Sequence, residues 1–343
     1  MRRAGLAALL VLVLAGCGSG RSGPTRLDYH GLGATPVIRV IAQDEIPALD
    51  RPRFDRPEAL QGLLRSDDLV VGAVVDGQPH AYPLDLLSFH EVVNDGPLAV
   101  TWCPLCRTAL AFQREVDGRR LTFGVSGLLL HANQVLYDRE SGSLWSQLAG
   151  RAISGRHRGT RLRPVPLAEL TWGQWLHAHP ATLVLSIRGD KYATRFTHPY
   201  TYFDARGEEL SSDPYYSYTQ KVSLYYSHGV DGLAGSTLVL GLRIDGVAKA
   251  YPIYLLRRPI RDVVAGHRLR IVPDQDALSA VVLEHGKRLP ATPVYWFAWH
   301  AFYPNTLVHK RPQRRDVRPD AHPKACRVGT RRRRASCARS LRW

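Results

Sequence analysis

Two cysteines spaced by two residues, in Cys103-Pro104-Leu105-Cys106, are the side chains of this 343-residue sequence best suited to chemistry. That spacing brings two sulfurs close enough for a disulfide or for one shared metal ion. In redox use, one thiolate attacks and the second resolves the mixed disulfide. A neighbouring cation raises thiolate character, and Arg107 is adjacent. A thioredoxin-type motif would open a helix within a βαβ unit. Here Thr108-Ala109-Leu110-Ala111-Phe112 leads instead into a strand. The Cys-Pro-x-Cys turn also resembles a rubredoxin or zinc knuckle. A closed knuckle needs four ligands, and no second Cys-x-x-Cys exists.

Any further ligand has to be a histidine or a carboxylate. His90 lies 13 residues before Cys103, in Phe89-His90-Glu91-Val92-Val93-Asn94-Asp95. Cys103, Cys106 and His90 would make a three-coordinate soft site suited to Cu(I), with His131 as a weaker fourth ligand. In a redox site His90 would instead be the nearby base or electrostatic partner. Glu91 and Asp95 are candidate proton-transfer groups. Asp138, Trp145 and Gln147 read as structural or pocket-lining. The bland alternatives are an inert disulfide and a histidine that only bonds the fold. Nucleophile elbow, phosphate loop, dinucleotide fingerprint and His-Glu-x-x-His are all absent from the sequence, so hydrolase and nucleotide chemistry have no support.

The elements around these residues read as β-hairpins. Val70 to Val75 and Pro79 to Leu84 flank Asp76-Gly77, and Asp245-Gly246 repeats the pattern. Leu98 to Trp102 is a short strand. Ala109 to Val116 and Arg119 to Phe123 flank Asp117-Gly118, and Gln134 to Tyr137 pairs with Ser143 to Ser146. Thr171 with Gln174 forms a capping-box pattern for a short helix carrying Trp172 and Trp175. Residues 293–303 form its counterpart.

An internal duplication organises these pieces. Val71 to Gly77 matches Leu240 to Gly246, and Ala81-Tyr82-Pro83 matches Ala250-Tyr251-Pro252, at a spacing of 169. Trp172, Trp175, Pro180 and Thr182 match Trp296, Trp299, Pro304 and Thr306, at 124. Arg261 stands in the second copy where His90 stands in the first, and the cysteine pair has no counterpart. The expected fold is mainly β, of the α+β kind, with a short Trp-containing helix in each copy. The first repeat, 40–190, carries the chemistry. A Tyr-rich connection, 191–234, reads as simple surface packing or as a cover for a site. The shortened second repeat, 235–309, is scaffold.

Arg2 and Arg3, the apolar run Leu6 to Leu14 and Leu14-Ala15-Gly16-Cys17 read as a signal peptide (1–16) ending in a lipobox. Lipidated Cys17 would be the membrane partner, followed by a flexible tether, 17–39. The protein is then expected on a cell or outer membrane, facing the extracytoplasmic side, where glutathione does not hold thiols reduced. The net charge of +16 is misleading as a sign of nucleic-acid binding. Residues 310–343 hold 13 Lys/Arg against two Asp, a net of +11, and Arg2 and Arg3 belong to the leader. The remaining +3 leaves the folded body no need of a polyanion. The basic tail reads as disordered or as a frameshifted end. The remaining partners expected are a redox protein or a metal donor.

The order of motifs carries a resemblance. Phe89 to Asp95, Val100-Thr101-Trp102-Cys103-Pro104-Leu105-Cys106, Thr122 to Leu128 and Leu144-Trp145-Ser146-Gln147 resemble the bacterial and archaeal domain-of-unknown-function family 3179 over about residues 40–309. The family brings no settled activity. Some of its members are similar to selenoproteins in the Cys-x-x-Cys region, which implies redox use of Cys103 or Cys106. Two departures stand out. Arg107 occupies a position usually held by Gly, where left-handed backbone is tolerated. His131 lies near a position usually held by Asn, which makes it a poor essential ligand.

Overall fold

Three Asp-Gly pairs set the hairpins. Asp76-Gly77, Asp117-Gly118 and Asp245-Gly246 each place two consecutive residues at positive φ, 47° and 84°, 51° and 70°, and 45° and 81°. That two-residue turn matches the twist of the strands it joins. The computed structural model of the protein describes residues 37–186, 188 and 232–310. The leader, Cys17 and nearly all of its tether, almost the whole Tyr-rich connection and the tail beyond Lys310 lie outside the described residues. Among the described residues the chain is mainly β.

Two sheets share one plan. The first runs Ala168–Thr171, Leu69–Val75, Gln78–Pro83, Leu183–Leu185, Phe54–Asp55; the second runs Ala291–Tyr295, Leu238–Ile244, Val247–Pro252, Leu307–Val308. In each, the fourth strand joins the hairpin in parallel, with Leu183 opposite His80 and Leu307 opposite Lys249. In each, the first strand runs directly into a seven-residue helix, Trp172–Ala178 or Trp296–Phe302. The first helix opens on a capping box: the Gln174 amide donates to Thr171 Oγ1 at 3.4 Å and the Thr171 amide to Gln174 Oε1 at 2.9 Å. Each helix lays a tryptophan on a strand glycine. A Cβ on Gly72 would stand 2.2 Å from the Trp175 ring, and one on Gly241 would stand 2.4 Å from Trp299. The indoles donate to Thr182 and Thr306, both at 2.9 Å.

Two more sheets hold the thiols. One runs Val92–Asp95, Leu98–Cys103, Thr108–Gln113, Pro164–Val165; the other runs Ile38–Arg39, Phe123–Leu130, Asn133–Asp138, Leu144–Ser146, Arg151–Ala152. Cys103, Leu105 and Cys106 belong to one buried cluster with Trp145, Trp296 and Trp299, so both halves contribute to it. A fifth sheet, Ile260–Val264, His267–Asp274, Ser279–Glu284 and Lys287–Leu289, completes the second half.

Two local expectations change. The strand expected from Ala109 to Val116 stops at Gln113, and Glu115–Val116 pairs separately with Arg119–Arg120. Arg114 interrupts the ladder because it turns inward, donating to the carbonyls of Gly96 at 2.7 Å and Leu121 at 3.0 Å. The strand expected to include Leu84 ends at Pro83. Leu84–His90 is a helix, and it buries Leu84, Leu86 and Leu87.

Candidate functional site

The thiols sit at a tight reversal. Every residue of Leu98–Cys103 is buried. Cys103 pairs with Thr108 across the hairpin, which leaves Pro104 to Arg107 as the turn. Closing it puts Arg107 at φ 53°. Both cysteines are free thiols, 1% and 0% exposed.

The two sulfurs differ in surroundings. Cys106 Sγ lies 3.1 Å from Thr108 Oγ1 and accepts a hydrogen bond from Asn133 Nδ2 at 3.1 Å. Burial pushes its thiol up. Hydrogen bonds from Cys103, Thr108 and Asn133 outweigh that, against the opposing charge of Glu91, and hold Cys106 below the ordinary thiol value. Cys103 moves the other way: burial first, then its bond to Cys106 and the charge there, push it well up. The surroundings make Cys106 the more readily ionised of the two thiols and Cys103 the less.

Asn133, which the sequence reading does not single out, is fixed by a network that includes Gln147, which it reads as structural or pocket-lining. Its Nδ2 also donates to Gln147 Oε1 at 2.6 Å, and its Oδ1 accepts from the Leu148 amide at 2.9 Å. Gln147 Nε2 donates to Thr101 Oγ1 at 2.9 Å and to the Thr108 carbonyl at 3.1 Å. Gln134 Nε2 bonds the Trp102 carbonyl at 2.8 Å. The signal was present: Asn133–Asp138 carries polar residues at both ends of an otherwise apolar strand, and all six are buried. Buried amides need partners, and here the partners surround the cysteine hairpin. Asp138 is structural, taking the Trp145 indole at 2.8 Å.

The second half reaches the turn. The Tyr295 amide donates to the Cys106 carbonyl at 3.0 Å. Thr292 Oγ1 donates to the Ala109 carbonyl at 2.9 Å. Arg107 Nη2 donates to the Ala277 carbonyl at 3.1 Å, and its Nη1 pairs with Glu169 at 3.0 Å. The segment expected to serve as scaffold therefore forms part of the site's wall.

Other candidates fall elsewhere. His90 ends its helix buried, with Nδ1 2.7 Å from the Pro47 carbonyl. Among the described residues, no three of His, Cys, Asp and Glu are grouped to hold a metal ion. Cys103 and Cys106 are brought together, while the trio with His90 is not assembled. It is the charge of the next residue, Glu91, that acts on Cys106. Asp95 serves a separate cluster, within 2.6 Å of both Tyr82 Oη and His80 Nδ1. His131 and Ala132, at φ 50° and 60°, form the turn between Phe123–Leu130 and Asn133–Asp138. The Ala132 carbonyl lies 4.0 Å from Cys103 Sγ. The His131 ring meets Phe302 edge-on at 5.2 Å, and burial lowers its pKa.

The family model described as "Protein of unknown function (DUF3179)" matches residues 43–286. No curated protein and no solved structure matches the chain.

Proposed function

Since the chain belongs to the DUF3179 family, whose description names no activity, we propose from the site itself that it is a thiol–disulfide redox protein. Cys106 is the attacking thiolate and Cys103 the resolving thiol. The observation that carries this reading is the cradle of Thr108, Asn133 and Cys103 around Cys106 Sγ, which favours the thiolate inside a fully buried site. An inert structural thiol in an apolar core would be pushed up instead.

The reaction balances with a disulfide substrate. Cys106 attacks one substrate sulfur, the substrate S–S bond breaks, and its other sulfur leaves as a thiolate and takes a proton. Cys103 gives up its proton and attacks Cys106 Sγ. The mixed disulfide breaks, the second substrate thiol departs, and Cys103–Cys106 is left oxidised by two electrons. Both sulfurs are buried, so the structure around them has to open for a substrate to enter.

The copper reading is the weaker one. Among the described residues the three expected ligands are not grouped. The lipobox reading of Cys17 places the protein on a membrane, facing outward. We read the two matching sheets as copies of one ancestral hairpin-and-helix unit, supported by their common strand order and their paired Gly-Trp contacts.

The test is the reduction potential of the pair, set by equilibrating the protein with glutathione redox buffers and reading alkylated mass. The expected potential is above roughly −300 mV, where bridges are labile. A disulfide that glutathione cannot reduce would overturn the redox role.

A further inference from the structure

A cleft of about 190 Å³ opens between the two halves of the body. Its floor is apolar: buried Phe112 and Leu148 from the first half meet buried Trp299 from the second. Its mouth carries Arg161, Arg243 and Tyr303. Both arginines are exposed, and no acidic residue lines the cleft. Among the described residues neither guanidinium pairs with a carboxylate. The Arg243 guanidinium stands over the Tyr303 ring at 5.1 Å. The Tyr303 hydroxyl donates to the Leu148 carbonyl at 2.9 Å, which ties mouth to floor. Burial pushes the Tyr303 phenol up, and Arg243 and then Arg161 pull it back, so both cations act on the same point. Two cations at one mouth with no carboxylate in the lining give the cleft a positive potential that favours an anion.

The geometry points to a ligand site for a small apolar carboxylate. The acid would bridge Arg161 and Arg243, and a ring or short alkyl chain would lie on Phe112, Leu148 and Trp299. The size fits: an apolar cavity of about 150 Å³ takes one benzene. Arginine is the side chain suited to bidentate carboxylate recognition. The site is separate from the thiols and stands whether or not they exchange disulfides.

Calorimetric titration of the full chain with 3-phenylpropionate tests this. Saturable binding at one site is expected, with 3-phenylpropan-1-ol at least tenfold weaker. The double variant Arg161→Gln/Arg243→Gln loses at least tenfold for the acid and keeps the parent's affinity for the alcohol. Arg243→Lys, which keeps the charge but loses the planar fork, binds the acid more weakly than the parent and more tightly than the double variant. The proposal is overturned by non-saturable binding, by equal affinity for acid and alcohol, or by acid affinity that survives the double variant. A circular-dichroism melt matching the parent's confirms that lost binding is not lost folding.

Discussion

Arg107 occupies a backbone conformation that costs a non-glycine residue about 1–2 kcal/mol. Its side chain offsets this through a buried ion pair with Glu169, whose own side chain is 3% exposed. Replacing Arg107 by Gly relieves the turn and strands the carboxylate. Removing one member of a buried pair costs about 3–5 kcal/mol, so Arg107→Gly should destabilise the protein by roughly 2–3 kcal/mol in urea unfolding. Arg107→Gly/Glu169→Gln should recover most of that. The pH dependence has a definite sign. Burial raises Glu169 although Arg107 pulls it down. A raised carboxyl favours folding below its unfolded value of about 4.3, and that contribution is lost as pH rises through the folded value. Without Arg107 the loss on going from pH 4 to neutral should be steeper than in the parent. This partnership was invisible in the sequence, because Arg107 and Glu169 lie 62 residues apart and Glu169 belongs to no motif. Cys103 and Cys106 were legible because their chemistry depends on local spacing. Asn133 was not, because its role depends on a sulfur 27 residues away.

The Asp-Gly hairpins were readable for a local reason: positive φ at two consecutive positions selects those residue types. The helix Leu84–His90 escaped notice because Pro83 before it offers no side-chain cap, and its seven residues hold too little periodicity to register. The contact of each tryptophan on a strand glycine makes a paired prediction. Gly72→Ala and Gly241→Ala each force a methyl into a buried indole, and each should cost about 1–3 kcal/mol in urea unfolding. Ala tolerated without cost at either site would refute this account of helix docking. In the first turn of Leu84–His90, burial and then Asp68 push Asp85 up to about 7, although Arg65 pulls it down. Its contribution to folding is therefore full below about pH 4 and disappears as pH rises through about 7. Thermal melts of the parent should fall across that window, and those of Asp85→Asn should stay flatter.

The described residues through His309 form one compact unit, and the cysteine hairpin is walled by both halves of it. No helix among them is long and apolar enough to cross a membrane. In the proposed reading membrane attachment rests on lipidated Cys17. Expressed in a bacterial host, the parent should sediment with membranes and Cys17→Ala should not; a parent found wholly in the supernatant would refute the anchor. The second half's share of the site was not readable, because Tyr295, Thr292 and Ala277 bond the cysteine hairpin through backbone groups or a single hydroxyl. The hairpin takes these contacts from residues 170 and 183 positions further along the chain. A polypeptide is made from its N-terminus onward. Until those late residues are synthesised the sulfurs lack part of their wall, and an oxidant can reach them. Those contacts close only once the second half has folded, so the pair meets an oxidant more readily in the unfinished fold than in the finished one.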